Sequence, residues 1–114
     1  MGGGQGAFTP VWFKDDAEVL AGQTKVVHQI PIAQFRSVNY ILTFFNVSEI
    51  KTRSLQLTVI KESDIKWQTF GKLGKSLDID ISPSENAGNL DLSITNNEIF
   101  NIQVELAFAT LGET

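Results

Sequence analysis

One histidine, thirteen carboxylates and no cysteine bound the chemistry open to this chain. His28 lies in Val26-Val27-His28-Gln29-Ile30, alternating with apolar neighbours. A catalytic histidine needs a nucleophile and an orienting partner. Here there is no thiol, no second imidazole and no Gly-x-Ser-x-Gly turn to supply them. His28 is therefore expected to be a half-exposed structural residue of a strand. Asp78 and Asp80 share one face of a strand, with Asp91 on a neighbouring one, and oxygen ligands so placed could gather calcium. Carboxylates alternating with Leu and Ile are equally the pattern of a solvated sheet face. Asp15, Asp16 and Glu18 read as a charged loop that blunts a sheet edge. Gly71-Lys72-Leu73-Gly74-Lys75 superficially resembles a phosphate loop, but the spacing, the hydroxyl residue and the following helix are lacking. Asn46-Val47-Ser48 is a formal glycosylation acceptor, which has meaning only on a secretory route. The expectation is no catalytic residue, no cofactor and no metal: a protein that binds and assembles and is not an enzyme.

The elements that would position these residues are strands. Period-two alternation is the main signal from Thr24 onward. Thr24 to Ile32 reads as a strand ending at Pro31, since proline cannot donate to a ladder. Val38 to Val47 is apolar on both faces, with Val38, Tyr40, Leu42 and Phe44 on one and Ile41, Phe45 and Val47 on the other. Such a strand is either central or covered by a partner. Ser54 to Ile60 puts Leu55, Leu57 and Val59 on one side, and Asp64 to Phe70, with Trp67, is a weaker candidate before a turn flanked by Gly71 and Gly74. Leu77, Ile79 and Ile81 alternate with Ser and Asp, as do Leu90, Leu92 and Ile94. The intervening Ser82-Pro83-Ser84-Glu85-Asn86-Ala87-Gly88-Asn89 reads as a turn-rich connector, and Asn96-Asn97-Glu98 as a tight turn. Ile102, Val104, Leu106 and Phe108 form the last alternating run. Asp15 to Ala21 carries one short turn at most. Seven or eight short strands without a helical period predict an all-β fold, a single antiparallel β-sandwich or jelly-roll-like domain.

At 114 residues and 42% hydrophobic, the chain can bury a core without disulfide staples. That suits assembly in a reducing cytoplasm. A net charge of −4, with its cations scattered, argues against nucleic acid, whose phosphates demand a positive excess. No apolar run is long enough to span a membrane, and the N-terminus has neither a signal-peptide pattern nor the residue at position 6 that myristoylation requires. Four glycines in the first six residues predict a flexible arm over residues 1–13, ahead of a sandwich over 14–114. The arm bears Phe8, Val11, Trp12 and Phe13 around Pro10. These are the candidate partner-binding residues, either folding back as an edge strand or docking on a neighbour. Deleting residues 1–13 separates the two: a folded domain that no longer binds marks a docking arm, and an unfolded one marks a strand.

From about Phe35 to Gly112 the chain resembles a small β-sandwich domain of tailed-bacteriophage virions, found in tail fibres, baseplate-associated proteins and head-decorating proteins. The likeness rests on Phe35-Arg36-Ser37-Val38-Asn39-Tyr40 as an opening strand and Ser54-Leu55-Gln56-Leu57-Thr58-Val59-Ile60 as the next. Phe70-Gly71-Lys72-Leu73-Gly74, Gly88-Asn89-Leu90-Asp91-Leu92 and the turn at Asn96 complete it. In fibres such domains end a long chain; 114 residues suggest instead a freestanding head protein. The resemblance thus implies a capsid decoration (cement) protein on the virion surface, with the major capsid protein as partner. Self-association as a homotrimer would follow the family and would explain a Val38–Val47 strand apolar on both faces. A tail fibre or baseplate component and a soluble carbohydrate-binding module are the alternatives. The last would require Trp12, Tyr40 and Trp67 to be open to solvent.

Overall fold

The computed structural model describes residues 11–74 and 76–112. Eight strands follow in chain order: β1 (Phe13–Val19), β2 (Thr24–Pro31), β3 (Ser37–Asn46), β4 (Lys51–Lys61), β5 (Ile65–Gly74), β6 (Ile79–Asn86), β7 (Asn89–Asn96) and β8 (Ile102–Leu111). One 3-10 turn, Ile32–Gln34, links β2 to β3. Five strands form a sheet in the order β1-β8-β3-β4-β5, and three form a second in the order β2-β7-β6. Every neighbouring pair is antiparallel. The expected all-β sandwich is the fold observed.

Alternation explains which face each strand buries. Val38, Tyr40, Leu42 and Phe44 of β3, Leu55, Leu57 and Val59 of β4, and Ile102, Val104 and Leu106 of β8 point inward from the larger sheet. Leu90, Leu92 and Ile94 of β7 meet them from the smaller one. At about 25 cal/mol per Å² of apolar area, this shared core dominates stability. β3 is the central strand of its sheet, one of the two placements its pattern allowed.

Three segments differ from expectation. Asp15, Asp16 and Glu18 do not form a loop but lie in β1, an edge strand paired with β8 from Phe13↔Phe108 to Val19↔Ile102. Phe13, Ala17 and Val19 supply the inward alternation, and Asp15 interrupts it. An inward charge on an edge is a known way to discourage further strand pairing. The supposed connector after Ile81 is mostly strand: Ser82 to Asn86 complete β6, and only Ala87 and Gly88 form the turn. Both have positive φ, 52° and 83°, as a two-residue type I′ hairpin demands. Pro83 is tolerated because β6 is an edge. Gly71 opens no turn either; Ser54 pairs with Leu73 and Gln56 with Phe70, so Gly71 and Lys72 form a bulge opposite Leu55. Gly74 has φ 98°, and a Cβ there would collide with the Thr52 carbonyl oxygen.

Polar links from the interior tie the sheets together. Buried Asn96 of β7 donates from Nδ2 to the carbonyls of Val19 (3.1 Å) and Phe100 (2.8 Å), while its Oδ1 accepts the Glu98 N–H at 2.9 Å. His28 of β2 places Nδ1 2.9 Å from the Tyr40 hydroxyl of β3, with its ring 4.1 Å from that of Phe108 on β8.

Candidate functional site

The two outward sheet faces differ in side-chain content. On the smaller sheet, the register places Thr24, Val26 and Gln29 of β2 beside Ser93, Thr95 and Asp91 of β7, and Asp80, Ser82 and Ser84 of β6 beyond them. Short polar groups pair with each other there: Thr24 Oγ1 lies 2.7 Å from Thr95 Oγ1, and Gln29 Nε2 donates to Asp91 at 2.7 Å.

The outward face of the larger sheet is grooved and carries large side chains. A cleft of about 200 Å³ crosses its middle, lined by Trp12, Asn39, Ile41, Gln56, Thr58, Phe70, Ala109 and Leu111. Cross-strand pairing assembles it: Asn39 faces Ala109 and Thr58, and Ile41 faces Gln56, which faces Phe70. A second cleft of about 360 Å³ continues towards the β5 edge, sharing Thr58 and Phe70 and adding Ile60, Lys66, Trp67 and Gln68. On the other flank, a space of about 500 Å³ shares Ile41 and is lined by Lys14, Asp16, Thr43 and Glu105. The three run together across the sheet. They place an aromatic, amide-bearing centre between an acidic flank and the β5 edge.

Within this groove, Trp12 is 43% and Phe70 44% exposed, large values for apolar rings on a folded surface. Thr58 donates to Asn39 Oδ1 at 2.7 Å, and among the described residues the NH₂ of that amide remains as a donor. Lys66 is paired with Asp64 at 3.3 Å, both in solvent. Asp16 and Glu105 face one another directly across β1 and β8, a like-charge pair that leaves this flank negative.

The candidate partner-binding residues are divided by the structure. Phe8 lies outside the described residues. Val11 and Trp12 precede β1 in solvent, and Trp12 enters the central cleft. Phe13 opens β1 on the opposite face, its ring 5.5 Å from that of Phe108. Of the three aromatics a sugar module would need open, Trp12 and Trp67 are open, whereas Tyr40 is 1% exposed and burial pushes its phenol above the usual range. Alternation alone placed Phe70 before a turn; only the register sets it on the cleft that Trp12 lines from the other side.

The residues with possible chemistry are dispersed. Burial lowers the pKa of His28 from 6.5, partly offset by the Asp15 carboxylate. Its ring bridges the two sheets beside Tyr40 and Phe108. Asp80 pairs across to Thr95 and Asp91 to Ser84, four positions apart along β6, or about 13 Å at the strand rise. Asn97 Nδ2 bridges Asp78 and Asp80 at 3.3 and 3.0 Å, and Asp91 is held by Gln29 and Asn86. Among the described residues no three His, Cys, Asp or Glu side chains gather as a metal site.

A second surface stands out at one end of the sandwich. Its loops expose Val47, Ile50 and Ile99, the last at 95%. Ile50 sits at φ 51°, a region that a β-branched residue adopts only under strain. The Asn46 side chain braces these loops, donating to the Asn101 carbonyl (2.7 Å) and accepting the Glu49 N–H (2.7 Å).

No protein-family model and no curated protein matches this sequence. Solved structures do. The tailspike protein of Acinetobacter baumannii phage AM24 superposes on 92% of the chain with a TM-score of 0.55 and 7% identity. The tailspike of Acinetobacter phage vB_ApiP_P1 superposes on 87% with a TM-score of 0.50 and 13% identity. The chain spans 27% and 22% of those proteins. This sandwich is thus a fold that occurs as part of phage tailspikes.

Proposed function

We propose that this chain is a non-enzymatic structural domain of a tailed-phage virion, serving the tail's host-attachment apparatus. The observation that carries the reading is the likeness, over nine-tenths of the chain, to part of a tailspike. The surface supports it. The protein presents a grooved aromatic face and an apolar loop end, two contact surfaces, while its titratable groups are scattered or engaged in structural bonds. The strained Ile50 fits a loop end that docks: an apolar side chain is kept where glycine would sit without strain. In this arrangement the loop end seats on a neighbouring virion protein and the grooved face stays open.

The capsid decoration reading has the same two surfaces to draw on, with the major capsid protein under the loop end. Immunogold labelling of particles from the encoding phage separates the two. Label confined to the tail is the expected result. Regular label over the head would replace the tail reading with the decoration one, and unlabelled particles would remove both.

A further inference from the structure

The grooved face has the chemistry for one class of ligand. Its central cleft has no charged side chain: Trp12, Ile41, Phe70, Ala109 and Leu111 provide apolar surface, and Asn39, Gln56 and Thr58 provide neutral donors and acceptors. Gln68, opposite Thr58 in the register, extends this set into the adjoining cleft beside Ile60 and Lys66. Among the described residues, the amides of Gln56 and Gln68 make no side-chain hydrogen bond. A pyranose ring matches such a surface. Its C–H face lies on an aromatic ring, while its rim of hydroxyls both donates and accepts, as a planar amide does.

Other occupants fit less well. A nucleic acid or an acidic polymer would meet Asp16 and Glu105 on the β1 flank, against Lys14, while Lys66, which lines the β5-side cleft, is paired with Asp64. A lipid surface would strand three or four amide and hydroxyl groups without partners. A second copy of the chain laid face to face would bring the two acidic flanks into the same interface. Charge and hydrogen-bonding capacity together favour a neutral polyhydroxylated chain. The continuity of the central cleft with the one at the β5 edge gives it a linear path from Trp12 past Phe70 to Gln68, Ile60 and Lys66, all at outward positions of the register.

We infer that the outward face of β8-β3-β4-β5 is a binding groove for a neutral polysaccharide, with Trp12 and Phe70 as stacking platforms and Asn39, Gln56, Thr58 and Gln68 as hydroxyl readers. The inference rests on the reading of this face as the open contact surface of an attachment domain. It adds the chemical class of what is contacted.

The chain holds two tryptophans, so Trp67→Phe leaves Trp12 as sole reporter. The full-length Trp67→Phe protein is titrated with neutral glycans (dextran, a β-glucan, galactomannan, chitohexaose) and with anionic alginate, following tryptophan emission and calorimetric heat. Saturable binding of a neutral glycan, with alginate silent, is the expected result. In the Trp67→Phe background Gln56→Ala, and in the wild type Trp12→Ala, should weaken the heat signal about tenfold or more, with circular dichroism unchanged. Thr95→Ala on the opposite sheet should leave it intact. Binding of alginate in preference to the neutral glycans would overturn the inference, as would a Trp12 signal that depends on protein concentration alone. Binding by none of the neutral glycans, repeated on an array of neutral bacterial surface glycans, would also overturn it. Tail labelling without glycan binding would remove this inference and leave the virion reading standing; glycan binding without particle labelling would do the reverse.

Discussion

The outward faces of the two sheets were built by the same period-two alternation and came out differently. On the β2-β7-β6 face the outward positions are Thr, Ser, Gln and Asp with one exposed apolar residue, Val26, and Thr24 with Thr95 and Gln29 with Asp91 bond across the strands. On the β1-β8-β3-β4-β5 face they include Trp12, Ile41, Ile60, Phe70 and Leu111, which stay partly exposed around the amides of Asn39 and Gln56. A face that only needs to be solvated can be made of short polar residues. Keeping aromatic rings and aliphatic side chains in water forgoes burial that each could have had, about 1.5–3 kcal/mol apiece. That difference is the ground on which we propose the larger sheet as the working surface.

The most severe test of the comparison is whether both faces belong to one cooperative unit. Leu57 is fully buried between the sheets. Leu57→Ala should lower unfolding free energy by about 2–5 kcal/mol in urea. Circular dichroism and tryptophan fluorescence should report one coincident transition. Separate transitions would mean that the smaller sheet is an independent layer, and the contrast between faces would lose its common reference.

Next in size is the groove. Phe70→Ala should weaken glycan binding about tenfold while stability changes by about 1 kcal/mol or less, because the ring is half in solvent. The paired substitution Ser82→Ala on the other sheet should alter neither. Equal effects from the two would erase the distinction.

Ile50 sharpens the contrast between loop end and groove. Ile50→Gly should raise thermal stability by about 0.5–1 kcal/mol by relieving the positive-φ strain. It should also reduce incorporation into particles without touching glycan affinity. Loss of stability would show that Ile50 is packed in the isolated domain and is not held out for a partner.

The smallest expected effect is a pH dependence seated behind the larger sheet. The folded-state pKa of His28 is below its unfolded value of 6.5, so the unfolded chain binds the extra proton. The contribution is fully present above about pH 6.5 and is lost as pH falls from there through the folded value. A comparison of urea midpoints at pH 7.5 and 5 should show this decline. His28→Gln should flatten its share of it, the rest coming from the carboxylates that titrate at lower pH.

Much of the fold was legible because burial and alternation coincide. Leu55-x-Leu57-x-Val59 and Leu90-x-Leu92-x-Ile94 announce their inward faces locally. β1 was hidden because Asp15 takes an inward position on an edge, where solvent reaches it. The end of β6 was hidden because Ser82, Pro83, Ser84 and Asn86 are turn formers that an edge strand also tolerates. The groove was less legible still. Trp12 stood out as a contact residue, but Asn39, Gln56, Thr58 and Phe70 come from three strands, and only the register of β3, β4 and β5 makes them neighbours. Tyr40 misled in the other direction. Its alternation with Val38 and Leu42 placed it correctly on the buried face, whereas a sugar site that used it required exposure.

The central claim is that the larger sheet's outward face is the open, host-directed surface of a tail domain. Cryo-electron microscopy of the intact particle tests it most directly. The account predicts density for this sandwich at the tail, with the Val47, Ile50 and Ile99 end seated on another virion protein and the Trp12–Phe70 groove facing outward. A domain on the tail with that groove buried against a neighbouring subunit would contradict it.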